Sequence, residues 1–371
     1  MQVKEQVARV LQAQVGHMRP IYAHYGVTHR CNMRCRMCEV WKSANPVTEL
    51  TPPQVDHMAC QLHQAGIRMI ALGGGEPFIR HDIADLVRHF SARAIDVRLL
   101  TNGIGVSDDQ INAVVDAGVT HVSISLDTLD PEKEKQIYGG HDVWSHIVDS
   151  MRRFRNQMAA RPGVPVMNVC VSRLNIDELP ALVEFAAGEG YFCSFIPIAL
   201  APAPDAGDGF AAYAPDMALT DADMPRMRES YDRLLALKRH GAPIANTSRF
   251  LHDSVRYFTT GTCRWSCDAG RLYLSISPEG ALSMCHHYPS FAHHDTEDLA
   301  NLLQQATIQT AMAGQRRACP GCIRPCWAEV THAMRHLPSA WEAYRTLRLA
   351  RHHDRSVSAI RSSSPANSPR F

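Results

Sequence analysis

No stretch of this 371-residue chain approaches the roughly 18 consecutive apolar residues that a membrane-crossing helix needs. Met1 to Arg19 scatters charges where a secretory signal requires an apolar run. The sequence therefore predicts a cytoplasmic protein with no membrane partner. Charge of one sign is lacking too: Lys+Arg 38 against Asp+Glu 37 leaves a net charge of +1. No global field draws the chain to nucleic acid or to an anionic surface, so any partner is recognised locally. Internal repeats are absent, and 45% hydrophobic with 20% charged residues excludes disorder over most of the length. What the chain has is cysteine, 12 residues, and histidine, 20. A reducing compartment disfavours a disulfide framework, and a chain of this length needs none, so the cysteines point to metal or redox chemistry. The histidines, charging below neutral pH, are read as a solubility effect.

The length predicts two or three domains, or one α/β barrel with an appendage. From residue 21 to about 198 short apolar runs alternate with longer amphipathic ones, as in a parallel βα array. Six strands are predicted, starting at Ile21, Ile67, Ile95, Val119, Val164 and Tyr191. Helical patterns lie between them at Pro53–Ala65, Ile83–Ala92, Asp108–Ala117, Val143–Met158 and Asp177–Ala187. Thr51, Ser107 and Asn175 or Asp177 read as N-caps, and Gly66, Gly118 and Gly188 as left-handed C-caps. Right-handed crossovers wind six such units into an α/β fold, a partial (βα)6 TIM-type barrel, with function at the C-terminal strand ends. The expected domains are an N-terminal helix at 1–20, the barrel at 21–200, a linker and helix at 201–260, a cysteine-rich extension at 261–335, and a helix with a disordered tail at 336–371. The Pro/Gly/Ala-rich run Ala201–Asp216 is read as a loop, Asp221–His240 and Ala340–His352 as helices, and LYLSIS-PEG-ALSMC as a hairpin.

Directly after the first predicted strand comes Cys31-Asn-Met-Arg-Cys35-Arg-Met-Cys38, a CxxxCxxC spacing. Three thiolates this close can hold three corners of one iron–sulfur cube and leave the fourth iron open. Further motifs follow in order at strand ends: Leu72-Gly73-Gly74-Gly75-Glu76-Pro77, Thr101-Asn102-Gly103 and Ser123-Ile-Ser125-Leu-Asp127. In this set the chain resembles the radical S-adenosylmethionine (radical SAM) superfamily. The resemblance implies a [4Fe-4S] cluster on Cys31, Cys35 and Cys38 with S-adenosylmethionine chelating the open iron. It also implies cofactor contacts from Gly73, Gly74, Gly75, Glu76, Asn102, Ser125, Asp127 and Arg173. Glycines without Cβ let a loop approach the methionine end, Glu76 would accept from its ammonium, Ser125 and Asp127 would hold the ribose hydroxyls, and Arg173 would pair with its carboxylate. The family often has an aromatic before the third cysteine; here it is Met37, with Trp41 nearby.

A second group comprises Cys263, Cys267, Cys285, Cys319, Cys322 and Cys326. Cys267, twelve residues, Gly280, four residues and Cys285 resemble the element that opens the SPASM or twitch extensions of the same superfamily. With Cys319-Pro-Gly-Cys322 they supply four ligands for one auxiliary [4Fe-4S] cluster. Cys263 and Cys326 are alternatives, or ligands of a second centre, and zinc is the competing metal. Cys60, Cys170 and Cys193 are read as buried small hydrophobes, and His286 and His287 as solvated. The implied activity is reductive cleavage of S-adenosylmethionine to a 5′-deoxyadenosyl radical that takes hydrogen from a small-molecule or cofactor-precursor substrate, with a flavodoxin- or ferredoxin-type reductant. A peptide substrate is the alternative within that class, and a non-catalytic iron–sulfur or zinc protein the alternative outside it. No catalytic residue is assigned.

Overall fold

The computed structural model describes residues 10, 13, 18–43, 48–159, 161, 163–199, 214–263, 265–319 and 321–346. All six predicted strands form: β1 (Tyr22–Thr28), β2 (Met69–Gly74), β3 (Asp96–Thr101), β4 (His121–Ser125), β5 (Val164–Val171) and β6 (Phe192–Pro197). Each pairs in parallel with the next. The seven residues of β1 are all buried, as befits a parallel strand covered on both faces. Between the strands run α1 (Pro52–Ala65), α2 (Ile83–Ser91), α3 (Asp108–Asp116), α4 (Pro131–Ile137), α5 (Trp144–Met158) and α6 (Leu179–Gly188). In α1 the stripe Val55, Met58, Ala59, Leu62 and Ala65 is buried, the 3.6-residue spacing that lays one helix face on a sheet. Ser107 accepts from the N–H of Gln110 in a reciprocal capping box, and Gly66 and Gly118 take φ of 107° and 103° at helix ends.

Two boundary assignments are corrected. The N-cap of α6 is Glu178, not Asn175 or Asp177. The Asn175 amide instead donates to the carbonyls of Asp127 (2.6 Å) and Cys170 (2.9 Å), tying the ends of β4 and β5 together. Gly188 lies inside the last turn of α6, and the left-handed position falls to Gly190, φ 78°. Helix α4 escaped prediction because PEKEKQI carries no apolar stripe.

After β6 come α7 (Met224–Arg239) and α8 (Ser248–Thr260), then β7 (Tyr273–Ile276), β8 (Ala281–Ser283), β9 (Ala292–His293), α9 (Leu299–Leu302), α10 (Ala306–Ala318) and α11 (Pro325–Arg335). The predicted hairpin is β7–β8, with Gly280 at φ 89° in its turn. It does not stand apart from the barrel. Strand β7 pairs in parallel with β1, giving one nine-stranded sheet in the order β6-β5-β4-β3-β2-β1-β7-β8-β9. All four β7 residues are buried, so the strand needs cover on both faces, and the barrel supplies it. The run 201–213, most of 1–20 and the tail from 347 onward lie outside the described residues; helix is described over 337–346. Among the described residues no helix is long and apolar enough to cross a membrane.

Candidate active site

The loop bearing Cys31, Cys35 and Cys38, all half-buried, leaves the C-terminal end of β1, where parallel α/β sheets collect their chemistry. Other loops hold it from three sides. On the first, Gly75 N–H donates to the Thr28 carbonyl (2.7 Å) and Glu76 N–H to that of Arg30 (2.8 Å). A Cβ on Gly75 would lie 2.0 Å from the Arg30 oxygen, and one on Gly74, φ 110°, 2.4 Å from the Thr28 oxygen. These two glycines thus let two backbones touch, and what they lie against is the thiol loop itself. Gly73 faces the barrel interior, where a Cβ would meet Leu100 at 3.0 Å and His24 at 3.3 Å.

On the second side, Asn102 Nδ2 donates to Asn32 Oδ1 (2.8 Å), Asn32 Nδ2 to the Ile104 carbonyl (2.9 Å), and Ile104 N–H to Asn102 Oδ1 (2.8 Å). Asn102 Nδ2 also stands 3.9 Å from Cys31 Sγ. On the third, Arg36 N–H donates to the Ile137 carbonyl (3.0 Å), and Gly139 passes so close that its Cβ would be 2.5 Å from the Arg34 oxygen.

Glu76, read from sequence as an acceptor for the cofactor ammonium, is 1% exposed. Its carboxylate accepts from Thr101 Oγ1 (2.8 Å), Asn102 N–H (2.8 Å) and Phe78 N–H (3.1 Å). It therefore fixes the Asn102 turn that grips the thiol loop. Burial pushes its carboxyl up to about 7, against the pull of these donors. Asp127 is equally buried; Oδ1 accepts from Cys170 N–H at 2.6 Å, while Oδ2 has no protein donor. Burial raises this carboxyl too, to about 7. Such an orphaned acceptor is costly unless a ligand satisfies it. Ser125 is half-buried beside it, and Arg173 is exposed beyond β5. Met37 is 8% exposed, and Trp41 donates from Nε1 to the Cys35 carbonyl (3.4 Å) beneath Arg34.

Burial first, and neighbouring thiols next, push Cys35 well above its ordinary value, and burial raises Cys31 to about 11. Three such thiols cannot all ionise without a cation, the electrostatic condition of a metal site that releases protons on loading.

The C-terminal thiols also gather. Cys267, Cys285 and Cys263 each feel the charge of Cys322. Gly321, φ 90°, donates its N–H to Cys319 Sγ at 3.4 Å, and Trp265 Nε1 donates to the Cys322 carbonyl at 2.8 Å. Cys326 lies next to Cys322 but also faces Tyr22 and Arg98 of the barrel. Three further sequence expectations are corrected. His286 is buried, 5% exposed, with Nδ1 on Ser275 Oγ at 2.5 Å and its ring 5.0 Å from His24. Cys60 and Cys170 are only half-buried, and the Cys170 thiol, raised by burial, feels Asp127 and Cys38. The sequence reading missed Arg324, between Cys322 and Cys326. Its guanidinium opposes the burial-driven rise of Cys38 in the first group as well as of Cys285 and Cys322 in the second. Its flanking by two candidate ligands was the available signal.

Among the described residues, His293, His294 and Asp295 bring possible ligand atoms within 4.8 Å of one another. With the orphaned Asp127 oxygen, the Cys31, Cys35 and Cys38 thiols fit both cluster and sulfonium cofactor.

Residues 25–186 match the radical SAM superfamily. Over those residues the chain is similar to the radical SAM enzymes. That family uses a [4Fe-4S] cluster and S-adenosylmethionine. A curated relative, GTP 3′,8-cyclase of Bradyrhizobium diazoefficiens, is 28% identical over 304 residues, 79% of this chain and 82% of that protein. The probable GTP 3′,8-cyclase of Archaeoglobus fulgidus is 27% identical over 63% of this chain and 72% of its own length. The Erythrobacter litoralis GTP 3′,8-cyclase is 32% identical, but the match spans about half of it, 53%. Among solved structures, Streptococcus suis SuiB superposes with a TM-score of 0.62 at 15% identity, over 84% of this chain and 71% of that one. The protein anSMEcpe, with bound AdoMet and a peptide, gives 0.59 at 12% over 90% and 99%. At such identities the structures establish the fold alone.

Proposed function

We propose that this chain is a radical SAM enzyme that takes a hydrogen atom from a small, anionic cofactor precursor, with GTP as the first substrate to test. The observation that carries the reading is the thiol loop itself: Cys31, Cys35 and Cys38, seated on Gly75, Glu76 and Asn102. When bound there, the cluster and S-adenosylmethionine supply reductive cleavage to a 5′-deoxyadenosyl radical. The chain's residues position and exclude water. Gly74 and Gly75 let the loop close down, Glu76 orients Asn102, and Asp127 Oδ2 with Ser125 accepts from the ribose hydroxyls. Arg173 pairs with the methionine carboxylate. Arg324, felt by thiols of both groups, supports an anionic substrate between them, since guanidinium forks match phosphate and carboxylate. GTP as substrate rests on the curated relatives. We assign an auxiliary [4Fe-4S] cluster to Cys267, Cys285, Cys319 and Cys322 within a domain at 261–335, with Cys263 and Cys326 as the alternative ligands; its role is to anchor the substrate or accept an electron from it.

The test is anaerobic reconstitution with iron and sulfide, then dithionite and S-adenosylmethionine, with GTP or candidate peptides. 5′-Deoxyadenosine whose yield rises with GTP supports the reading. Stimulation by a peptide alone transfers the enzyme to the peptide-modifying class. No 5′-deoxyadenosine under any condition leaves a non-catalytic iron–sulfur protein.

A further inference from the structure

We infer that Tyr273 tunes the auxiliary centre by donating a hydrogen bond to a ligand sulfur, Cys267 Sγ. The inference rests on the assignment of Cys267 as a cluster ligand made above. The Tyr273 hydroxyl lies 2.9 Å from Cys267 Sγ. A thiolate bound to iron carries no hydrogen, so between these two atoms only the phenol can donate.

The surrounding structure holds this geometry rigidly. Tyr273 is fully buried on β7, paired opposite Tyr22 of β1. Its ring stacks on Trp327 at 4.5 Å and 16°. The intervening turn folds Cys267 back over it: Arg271 and Leu272 donate backbone N–H groups to the Asp268 carbonyl, and Gly270 to that of Tyr273. The Asp268 carboxylate, 1% exposed, is clamped by Arg335 at 2.5 and 2.7 Å, and Arg316 donates to the Ala269 carbonyl at 2.7 Å. A phenol this constrained keeps aiming at the sulfur.

Hydrogen bonds to ligand sulfurs draw electron density from an iron–sulfur cluster and favour its reduced form. Tyr273 therefore raises the potential of the auxiliary centre and makes it a better electron acceptor, without touching the substrate. It is a positioning and tuning residue, not a catalytic one.

The experiment is a redox titration of the full-length, reconstituted enzyme followed by electron paramagnetic resonance, comparing wild type with Tyr273→Phe. Phenylalanine keeps the ring on Trp327 and removes only the donor. The auxiliary signal is expected to shift to lower potential by the equivalent of a tenfold change in the oxidised-to-reduced ratio, about 59 mV for one electron. The first cluster's signal, unmoved, is the internal standard. Should Tyr273→Phe fail to load metal, fluorotyrosine placed at 273 supplies a stronger donor, and the shift must then be upward. A wild-type chain that forms one iron–sulfur centre and not two overturns the ligand assignment and this inference with it. Two centres whose potentials ignore both substitutions overturn the inference alone.

Discussion

Replacing Gly75 with alanine is the sharpest test of how the thiol loop is seated. The added Cβ would stand 2.0 Å from the Arg30 oxygen, 2.6 Å from its carbonyl carbon and 2.9 Å from the His29 oxygen. All three are backbone atoms, so no side chain can swing aside. Restoring an ordinary contact at 3.4 Å requires the two strands of chain to part by about 1.4 Å. That movement breaks the bonds from Gly75 N–H to Thr28 and from Glu76 N–H to Arg30. At about 1 kcal/mol net for each bond, with the cost of leaving buried groups unpaired, the loss is about 2–4 kcal/mol. Arg30 directly precedes Cys31, so the displacement also reaches the first thiol, and a misplacement of this order costs about 10²-fold in rate. Urea unfolding should show the destabilisation, and iron analysis with 5′-deoxyadenosine formation the functional loss. Gly188→Ala is the control: nothing lies within 4 Å of its Cβ and it ends a helix, so it should be neutral or stabilise by about 0.5–1 kcal/mol. If Gly75→Ala unfolds and cleaves like wild type, the two backbones do not touch as described.

Three further outcomes are expected. Cys35→Ala should abolish S-adenosylmethionine cleavage, whereas Cys322→Ala should spare uncoupled cleavage and stop substrate turnover; equal loss of cleavage in both refutes the division of labour. Arg324→Gln should raise KM for an anionic substrate about tenfold or more, as loss of a charged hydrogen bond implies, while substrate-free cleavage persists; an unchanged KM refutes its anion-binding role. The Asp127 carboxyl is pushed up to about 7 by burial, opposed by the Cys170 N–H. A raised folded-state value means the associated stability is whole below the ordinary carboxyl range and is lost as pH rises through about 7. Asp127→Asn, with its neutral side chain, should accordingly gain on wild type between pH 5 and pH 8, by the order of 1–3 kcal/mol, while weakening cofactor binding. A stability difference that stays flat with pH contradicts the buried-charge argument.

The local grammar of this fold was legible in one dimension. Alternation of apolar runs with amphipathic stretches located β1 to β6 because each strand is buried by its own neighbours in sequence. The CxxxCxxC spacing exposed the first thiol group because its three cysteines sit within eight residues on one loop. Helix α4 was not legible, since its charged residues carry no periodic stripe. Tertiary structure alone decided how distant side chains meet. Glu76 read as an acceptor for the cofactor ammonium, and only the approach of β3 shows Thr101 and Asn102 donating to its two oxygens. Likewise β7 read as half of an isolated hairpin, and only its pairing with β1 brings the second thiol group onto the barrel's own sheet. Sequence spacing determines which groups can share a loop, because chain connectivity holds them close. Which loops then face one another depends on the sum of burial across the whole sheet, and no local pattern encodes that sum.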